Sequence, residues 1–328
     1  MKITAAHGGG GKSMDDLIQG VFLKHFANDT LNQLEDSALL RLDTPQIAFT
    51  TDSFVVTPLV FSGGDIGRLA VCGTVNDLLM RGATPRYLSA GFILEEGLEL
   101  KTLERVVSSM QAAATEAGVS IVAGDTKVVE GNGGMYINTS GIGTLDVESN
   151  ISVHNAAVGD AVIVSGNMGN HHACILSARM GIENNIHSDC APLREMVLSL
   201  LRNKLPVHTL RDITRGGLAT VLYEIAQASG VQIALDGGVS LTDDSVQGFC
   251  DILGLDPLYM GNEGKLVLLL PMDEATQALA LLQACPYGEN AKIIGTVTPG
   301  TAGVTVSTRA GVARALRPLP GEGLPRIC

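Results

Sequence analysis

The chain has 328 residues, of which 45% are hydrophobic and 17% are charged, and its formal net charge is −12. This length suits two domains, and the composition is that of a folded globular protein with a sizeable core. The negative charge and the absence of tryptophan argue against nucleic acid or an anionic membrane surface as a partner.

Two further features bear on where the protein works. Residues 1–4 lack the apolar core of a signal peptide, and no run of about 18 apolar residues occurs that could span a membrane. The 6 cysteines include no Cys-x-x-Cys pair, which argues against a structural zinc site and against a compact disulfide framework. We therefore expect a cytoplasmic protein with reduced thiols.

Apolar spacing and turn residues predict alternating helices and strands in the first half of the chain. The expected helices begin near Ser13 and cover 66–80 and 103–117, and the expected strands cover 47–56 (interrupted at 51–53), 86–94, 119–123 and 135–142. Residues 131–134 resemble a hairpin turn that leads into the last of these strands.

A new series of elements begins after residue 150, where a polar stretch precedes the apolar run 159–166. Helices are expected near 190–203, 216–229 and 273–284, and strands near 231–235, 265–270 and 291–297. Interleaved elements of this kind indicate an α/β or α+β protein. We predict two α/β domains, residues 1–150 and 151–316, followed by a flexible tail, residues 317–328.

The tail has an unusual composition and ends in Pro325-Arg326-Ile327-Cys328. Its prolines oppose helix and sheet pairing, and its glycines supply hinges. Fully extended it would reach roughly 36 Å, so its tip could leave one site and enter another. A frayed terminus is the ordinary alternative, but an apolar residue beside a terminal thiol favours a functional arm.

A glycine-rich run near the N-terminus, Gly8–Gly11, is followed by Lys12 and Ser13. The run resembles a P-loop, but Ala6 stands where the P-loop has its first glycine, and the buried hydrophobic strand that should precede it is missing. A glycine-rich loop that opens a helix can still bind phosphate through backbone N–H groups and the helix dipole. His7, beside the loop, is a candidate for phosphate contact.

Three aspartates recur in similar settings, Asp52, Asp77 and Asp125. Taken singly, each is more often a cap or turn residue. Mg²⁺ needs oxygen ligands, however, and an ATP site commonly gathers carboxylates from separate segments. Spacing alone cannot join the three residues, because only the fold would bring them together.

Two polar segments of the second half are further candidates. Residues 212–217 contain paired glycines after an arginine, which suggest close approach to a ligand. Residues 262–265 stand directly before an apolar strand, where a plain turn is an equal alternative. His171 and His172 are adjacent, so on a helix they point about 100° apart and do not form a two-ligand face for a metal.

Taken together and in order, these segments resemble one family of ATP-binding proteins. They are similar to the motifs of the aminoimidazole ribonucleotide synthetase superfamily, which also contains selenophosphate synthetase and thiamine monophosphate kinase; the segments are His7–Gly11, Thr51–Val56, Gly73–Leu78, Gly124–Val128, Asp212–Gly217 and Asn262–Lys265. The ending Pro325–Cys328 is similar to that of the hydrogenase maturation factors of the HypE family. The resemblance covers essentially the whole chain.

The resemblance implies a fold and an activity. ATP would bind in the N-terminal domain near a homodimer interface, where paired sheets form a barrel-like core. A partner carbamoyltransferase, HypF, would place a carbamoyl group on the sulfur of Cys328. The enzyme, an ATP-dependent carbamoyl dehydratase, would convert this thiocarboxamide to a thiocyanate, and the cyanide would pass through a HypC–HypD complex to the iron of nickel-iron hydrogenase.

The resemblance also implies site residues, by carry-over onto the matching motifs. Cys328 would carry the reacting group, Glu263 would be the base, and Lys127 would stabilise charge. Mg²⁺ would be held by Asp52 and Asp77, with Asp125 or Asp212 as a third ligand. The residues expected to contact the nucleotide are His7, Gly8, Gly9, Gly10, Gly11, Lys12, Asp52, Asn76, Asp77, Asp125 and Thr126.

Two alternatives stand beside this interpretation. A relative that acts on a free small molecule, such as selenophosphate synthetase, would want a reactive cysteine or selenocysteine near the glycine loop, and none occurs before Cys72. A kinase of this fold would have no need for a terminal thiol. A non-catalytic carrier that presents Cys328 to partners would consume no ATP in response to a carbamoylated tail.

Overall fold

In a computed structural model of the chain, residues 2–7, 12–33, 40, 42–44, 46–145, 150–307 and 313–318 are described. The chain divides into two units by its internal contacts. The first contains Met1–Leu78 and Ala83–Val147, and the second contains Leu79–Gly82 and Glu148–Ile327.

The first unit centres on a four-stranded sheet with the strand order β1-β6-β4-β5. Its strands and helices are β1 (Ile47–Phe54), β2 (Val60–Phe61), β3 (Gly64–Asp65), β4 (Thr84–Glu95), β5 (Ser120–Val129), β6 (Met135–Thr144), α1 (Lys12–Leu17), α2 (Lys24–Phe26), α3 (Ile66–Met80) and α4 (Leu100–Ala117). β4 and β5 are parallel, and the other pairs in this sheet are antiparallel. A parallel pair needs a crossover connection, which α4 supplies.

The predicted hairpin at residues 131–134 is wrong. β4 lies between β5 and β6, so the connection crosses the end of β4. Glu95, the last residue of β4, accepts hydrogen bonds from the backbone N–H groups of Asn132 (2.7 Å) and Gly134 (2.9 Å) and from the hydroxyl of Tyr136 (2.9 Å). The bond from Gly134 is the largest of the effects that lower the pKa of this carboxyl. Glycines predict a turn, but they do not tell which strand is the neighbour.

Other predicted elements agree more closely with the structure. The helix predicted over 66–80 is confirmed as α3. The predicted interruption at 51–53 is wrong, because β1 pairs continuously with β6 from Ile47 to Phe54. The strand predicted over 119–123 continues to Val129, so Asp125 and Lys127 lie inside β5.

Helices cover one face of this sheet. Thr139 of β6 donates a hydrogen bond to the carbonyl of Ala70 in α3 at 3.0 Å. The N-terminal segment packs on the same face, where Phe22 lies in a π-helical turn (Ile18–Leu23) with its ring 4.9 Å from that of Phe92. Buried residues of α4 recur at helical spacing, and the helix ends at Gly118, whose φ of 64° is left-handed. On the opposite face of the sheet, alternate residues of β1 are exposed.

The second unit is built on a seven-stranded sheet with the order β13-β12-β9-β11-β7-β10-β8. Its elements are β7 (Asp160–Val164), β8 (Thr209–Asp212), β9 (Gln232–Leu235), β10 (Leu266–Pro271), β11 (Lys292–Thr298), β12 (Gly303–Ser307), β13 (Ala313–Leu316), α5 (Asn170–Met180), α6 (Arg194–Arg202), α7 (Gly217–Ser229), α8 (Asp244–Leu253) and α9 (Ala275–Gln283). All residues of β7 are buried, as are the first five of β10, because these adjacent strands are covered on both faces.

The described part of the chain contains no helix that is long and apolar enough to cross a membrane. The five cysteines in the described ranges form no disulfide. The mixed helices and strands agree with the predicted α/β or α+β class.

Asp65 forms the N-cap of α3. Its Oδ1 accepts hydrogen bonds from the N–H groups of Gly67 and Arg68, both at 2.9 Å, which are the second and third residues of the helix. The side chain is buried, and burial raises the pKa of its carboxyl above the usual 3.8. The cap therefore combines a favourable pair of hydrogen bonds with the cost of burying a charge.

The Asp65 cap is tested by removing the oxygen and, separately, the charge. We expect Asp65→Ala to lower the free energy of unfolding of the first unit by about 1–2 kcal/mol, since two helix N–H groups lose their acceptor. Asp65→Asn keeps the acceptor and avoids the buried charge. Folding raises the pKa of the Asp65 carboxyl, so its ionisation above pH 3.8 lowers the stability of the wild type. The free energy of unfolding of the Asn variant should therefore increase, relative to that of the wild type, from pH 4 to pH 7.

Urea unfolding followed by circular dichroism measures both effects. Equal stability of the Ala and Asn variants at every pH would contradict the capping role.

Candidate active site

Asp52 and Asp77 lie close together in the first unit. Thr50 and Asp52 are two residues apart on β1 and face α3, where Gly73 and Asp77 are one helical turn apart. Thr50 donates a hydrogen bond to Oδ2 of Asp77 at 2.9 Å. A Cβ atom at Gly73 would lie 3.7 Å from Oδ2 of Asp52. The fold thus brings these two predicted metal ligands to one place between β1 and α3.

Asp125 lies on the other face of the sheet. The register pairs Asp52 with Thr139, Thr139 with Ala90, and Ala90 with Gly124, so these four positions lie on the face that α3 covers. Side chains alternate along a strand, so Asp125, the residue after Gly124, points away from α3. On that face Lys127 forms an ion pair with Asp125, with Nζ to Oδ1 at 2.8 Å. The hydrogen bond from Lys127 lowers the pKa of Asp125. This carboxylate is therefore matched with a lysine and separated from Asp52.

The structure does not assemble a three-residue metal cluster from the predicted aspartates. Within the described residues, no three His, Cys, Asp or Glu side chains lie close enough to hold a metal ion. Asp212, the other candidate for third ligand, is the last residue of β8 in the second unit.

The predicted nucleotide contacts are only partly within the described residues. Gly8, Gly9, Gly10, Gly11 and Cys328 lie outside them, and so does the side chain of Lys12. His7 lies in a 3₁₀ turn, and its Nδ1 accepts a hydrogen bond from the N–H of Thr4 at 3.2 Å.

The residues just before the glycine loop do not have the form of a P-loop. Lys2 forms an isolated bridge with Glu99, and the described residues ahead of α1 contain no strand. The described residues before the loop therefore lack the strand that a P-loop requires, as the sequence predicted. Asn76 and Thr126, two other predicted contacts, are buried.

The two polar segments predicted in the second half meet in the second unit. The carbonyl of Ile213 accepts hydrogen bonds from the backbone N–H and from the side-chain amide of Asn262, both at 3.0 Å. The N–H of Ile213 donates to the carbonyl of Lys265 at 2.9 Å. At Gly217 the close approach is to the chain's own backbone, since a Cβ atom there would lie 2.5 Å from the carbonyl of Leu258.

Asn262 is the most heavily bonded side chain of this segment. It is fully buried, its Oδ1 accepts from the N–H of Gly169 (2.7 Å), and its Nδ2 donates to the carbonyls of Ile213 (3.0 Å) and Met260 (3.2 Å). These bonds join the start of α5, the end of β8 and the entrance to β10. The plain-turn alternative for residues 262–265 does not account for a buried amide with three backbone partners.

Glu263, the predicted base, is 5% exposed. Its N–H donates to Oδ1 of Asp189 at 2.9 Å, and its carbonyl accepts from the N–H of Ala191 at 3.4 Å. Sequence reasoning missed Asp189, although the polar run 187–190 just before Ala191 and Pro192 is a turn signal that could have singled it out.

The two adjacent histidines of α5 have structural partners. Nδ1 of His171 lies 2.8 Å from the hydroxyl of Ser188, and Nδ1 of His172 accepts from the N–H of Gly261 at 3.4 Å. Burial lowers the pKa of His172 to about 4, so its imidazole is neutral at pH 7. The two histidines support the loops around Glu263. Their Nδ1 atoms bond to different segments, which agrees with the prediction that the pair does not form a two-ligand face for a metal.

Asn262 is tested by truncation. Asn262→Ala leaves one N–H group and two carbonyls without this partner in a buried place, so we expect the free energy of unfolding of the second unit to fall by about 3 kcal/mol or more. Asn203→Ala, which removes an exposed side chain that bonds the carbonyl of Ser199, should change it by less than about 1 kcal/mol. Urea unfolding compares the two variants, and equal small losses would mean that the buried amide contributes little.

Family profiles match both units. The profile described as "AIR synthase related protein, N-terminal domain" matches residues 34–145, and the one described as "AIR synthase related protein, C-terminal domain" matches residues 157–307. The two matches together span well over half of the chain.

Full-length relatives narrow the assignment. The chain is 46% identical to the carbamoyl dehydratase HypE of Rhodobacter capsulatus, over 100% of this chain and 98% of the relative. It superimposes with a TM-score of 0.95 on the crystal structure of a hydrogenase maturation protein HypE in complex with ATP, at 48% identity and 99% coverage of both chains. A chain in a crystal structure of a HypE–HypF complex gives a TM-score of 0.81 at 46% identity, covering 92% of this chain and 99% of that one. The chain therefore belongs to the AIR synthase related proteins and, among them, to the HypE family.

Proposed function

We propose that this protein is an ATP-dependent carbamoyl dehydratase that converts an S-carbamoyl group on its own Cys328 to a thiocyanate. The observation that carries the proposal is the likeness, over the whole length of both chains, to a carbamoyl dehydratase HypE. The thiocyanate would supply the cyanide ligand for the iron of nickel-iron hydrogenase. On this proposal, residues 1–150 bind ATP and dimerise, residues 151–316 supply Glu263, and residues 317–328 carry the thiol.

Asp52 and Asp77 are the proposed Mg²⁺ ligands. Two carboxylates on facing surfaces of β1 and α3 are the hard oxygen donors that this ion prefers. Bound there, Mg²⁺ would neutralise triphosphate charge, which a protein with a net charge of −12 needs. Asp212 stays a proposal for a third ligand, whereas Asp125 lies on the opposite face of the sheet from Asp52 and does not share the place of these two carboxylates.

The proposed nucleotide site lies in the first unit. A relative at 48% identity is solved in complex with ATP, which supports ATP as the nucleotide. Backbone N–H groups of Gly8–Gly11 would cradle the phosphates, with His7, Lys12 and Asn76 beside them. A largely apolar cavity of about 190 Å³ beside Asp125 and Thr126 offers room for the adenine; its other lining residues include Phe22, Phe26, Ala90 and Gly124.

The proposed chemistry follows from the poor leaving ability of an amide oxygen. The thiocarboxamide oxygen attacks the γ-phosphorus, and ADP leaves. The C–O bond then breaks with loss of phosphate while both N–H protons are removed, so that carbon and nitrogen become triply bonded. Glu263 is the proposed base, and Lys127 the group that stabilises the developing negative charge. Closure of the glycine loop would exclude water that could waste ATP.

The proposed partners follow the same assignment. A solved complex of HypE with HypF supports HypF as the carbamoyl donor. A HypC–HypD complex is the proposed acceptor of the cyanide, and the cytoplasm the proposed compartment. The root of the tail is near Tyr259, whose hydroxyl donates to the carbonyl of Arg317 at 2.9 Å.

A second copy of the chain is the proposed partner for the open face of the first sheet. Five apolar side chains on that face are substantially exposed, with Phe49 the most at 66%; the others are Ile47, Ile93, Val129 and Tyr136. A row of polar residues lies between them, with Asn138 bonded to Ser53 at 2.9 Å and Ser140 to Thr51 at 3.0 Å. A sheet that buries one face and exposes apolar groups on the other needs a cover, and a homodimer supplies an identical face.

The alternatives from the sequence have less support. A small-molecule synthetase or kinase would leave Pro325–Cys328 without a purpose, and a thiol carrier would leave Asp52, Asp77 and Glu263 without one. Full-length likeness to a carbamoyl dehydratase favours the enzyme over both.

The proposal is tested by intact-protein mass spectrometry. After incubation with the carbamoyltransferase, carbamoyl phosphate and ATP, we expect a gain of about 43 Da on the terminal peptide; ATP and Mg²⁺ should then cause a loss of about 18 Da, because the thiolate is the modified group. Cys328→Ala should show neither change, with ATP binding unaffected. Chelation of Mg²⁺ after the tail has been carbamoylated should block the water loss.

Each outcome of that experiment has a distinct meaning. Carbamoylation without water loss would make the protein a carrier. An unmodified tail, under conditions that modify a HypE control, would refute the proposed function. Cyanide production by Cys328→Ala would exclude the self-modification.

The proposed dimer is tested by a charge on the open face. Phe49→Glu should shift the molar mass measured by light scattering from that of two chains towards that of one, since two buried carboxylates would repel each other across the interface. Ile252→Glu is a matched control, because Ile252 is an exposed apolar residue of the second unit, at 84%. A monomeric wild type, or equal effects of the two substitutions, would exclude this face as the interface.

A further inference from the structure

The backbone of Glu263 is held by one short segment of the second unit, residues 189–191. Asp189 accepts the N–H of Glu263 at 2.9 Å, and Ala191 donates to its carbonyl at 3.4 Å. The two chains run so close that a Cβ atom at Gly264 would lie 1.9 Å from the carbonyl oxygen of Asp189. Both polar backbone groups of the proposed base are therefore bonded to this segment.

The segment is itself anchored in a closed ring of contacts. The hydroxyl of Ser188 accepts the N–H of Cys190 at 3.1 Å and lies 2.8 Å from Nδ1 of His171, which is fully buried in α5. The helix begins after Gly169, whose N–H donates to Asn262 at 2.7 Å, and Asn262 precedes Glu263 in the chain. The ring runs from Glu263 through Asp189, Ser188, α5 and Asn262 back to Glu263.

The hydrogen bond that Asp189 accepts from Glu263 needs only an accepting oxygen, yet the residue at this place is a carboxylic acid. Its Oδ2 is buried and has no hydrogen-bond partner among the described residues. Burial raises the pKa of this carboxyl, and the charge of Lys265 opposes the shift. A neutral acceptor such as asparagine would make the same bond to Glu263 with less desolvation cost. The bond to Glu263 therefore depends on the accepting oxygen of Asp189 and not on its charge.

From this ring of contacts we infer that Asp189 is a positioning residue, which fixes the carboxylate of Glu263 for proton removal through its hydrogen bond to the Glu263 backbone. The inference rests on the proposed function, since it assigns a role in the same reaction. Placement matters here because a base must be within hydrogen-bond reach of the N–H proton, and a misplacement of about 1 Å can cost about 100-fold in rate. The ring limits the backbone movement that would cause such a misplacement.

A purely structural role makes a different prediction. If Asp189 only stabilised the fold, truncation would lower stability and would weaken every function of the second unit together. A positioning role affects the dehydration step alone, and it is rescued by any side chain that keeps an acceptor at the same place.

The test uses the full-length protein, carbamoylated on its tail and then mixed with ATP and Mg²⁺. Water loss is followed by intact mass over a single turnover. We expect Asp189→Ala to slow dehydration about 100-fold, and Asp189→Asn, which keeps the oxygen that accepts from Glu263, to stay within about threefold of wild type. The extent of carbamoylation and the ATP concentration for half-maximal rate should not change in either variant.

Three further variants serve as controls. Asp236→Ala removes another aspartate that accepts a backbone N–H, that of Gly238 at 2.8 Å, and it should leave the rate unchanged. Glu263→Gln gives the rate without the base. If Asp189→Ala does not fold, Asp189→Ser replaces it, because the shorter side chain does not reach the N–H of Glu263.

The outcomes separate this inference from the proposed function. A rate for Asp189→Ala within threefold of wild type would overturn the inference alone. Equal slowing of the Asn and Ala variants would also overturn it, because the charge rather than the hydrogen bond would then be needed. Absence of water loss in the wild type would overturn the proposed function, and this inference with it.

Discussion

The arrangement of the second unit around Glu263 depends on one buried amide. Asn262 accepts from the N–H of Gly169, just before α5, and donates to the carbonyls of Ile213, just after β8, and of Met260. Buried backbone groups without partners are costly, so a side chain that can both donate and accept stabilises this junction beside the backbone bonds of Ile213 to Asn262 and Lys265. These bonds fix the direction in which the chain after Asn262 enters β10, and they thereby orient the backbone of Glu263. An aspartate or a leucine of similar size could not serve all three groups.

A second constraint shapes the first unit. Its helices lie on one face of a four-stranded sheet, and Asp52 and Asp77 lie within that packed layer. Asp125, a predicted nucleotide contact, and Lys127, the proposed charge-stabilising residue, project from the other face. This face is also the one with exposed apolar side chains, so the proposed dimer contact and the Asp125–Lys127 ion pair share one surface. Assembly and chemistry are then linked by the alternation of side chains along a strand.

Much of this arrangement was accessible from the sequence, and the reasons for the failures are physical. Helical periodicity predicted α3 to the residue, because its apolar residues and Gly82 are local signals. Strand order was not local: the glycines at 131–134 predicted a turn, but the connection crosses the end of β4 because β4 pairs with both β5 and β6, and Glu95 holds it there.

The site residues likewise include some that the sequence singled out and some that it did not. Asp52 and Asp77 could be singled out as motif residues, yet their closeness came from β1 lying against α3. Asp189 stayed unnoticed, because a carboxylate whose role is to hold another residue's backbone has no spacing pattern of its own. The paired glycines of residues 212–217 suggested close approach to a ligand, but sequence does not tell such an approach from one to the chain's own backbone, which is what Gly217 makes.

The bond between Tyr259 and Arg317 has a consequence for kinetics. It fixes the root of a segment in which 11 residues follow Arg317, and a fully extended chain of that length reaches roughly 36 Å. A tethered group within such a radius has an effective concentration on the order of millimolar, whatever the concentration of the protein. On the proposed function, the thiol of Cys328 would therefore need almost no affinity for the active site, and weak binding would leave it free to be passed to the next protein. Tether length, rather than a binding constant, would set how often substrate meets catalyst.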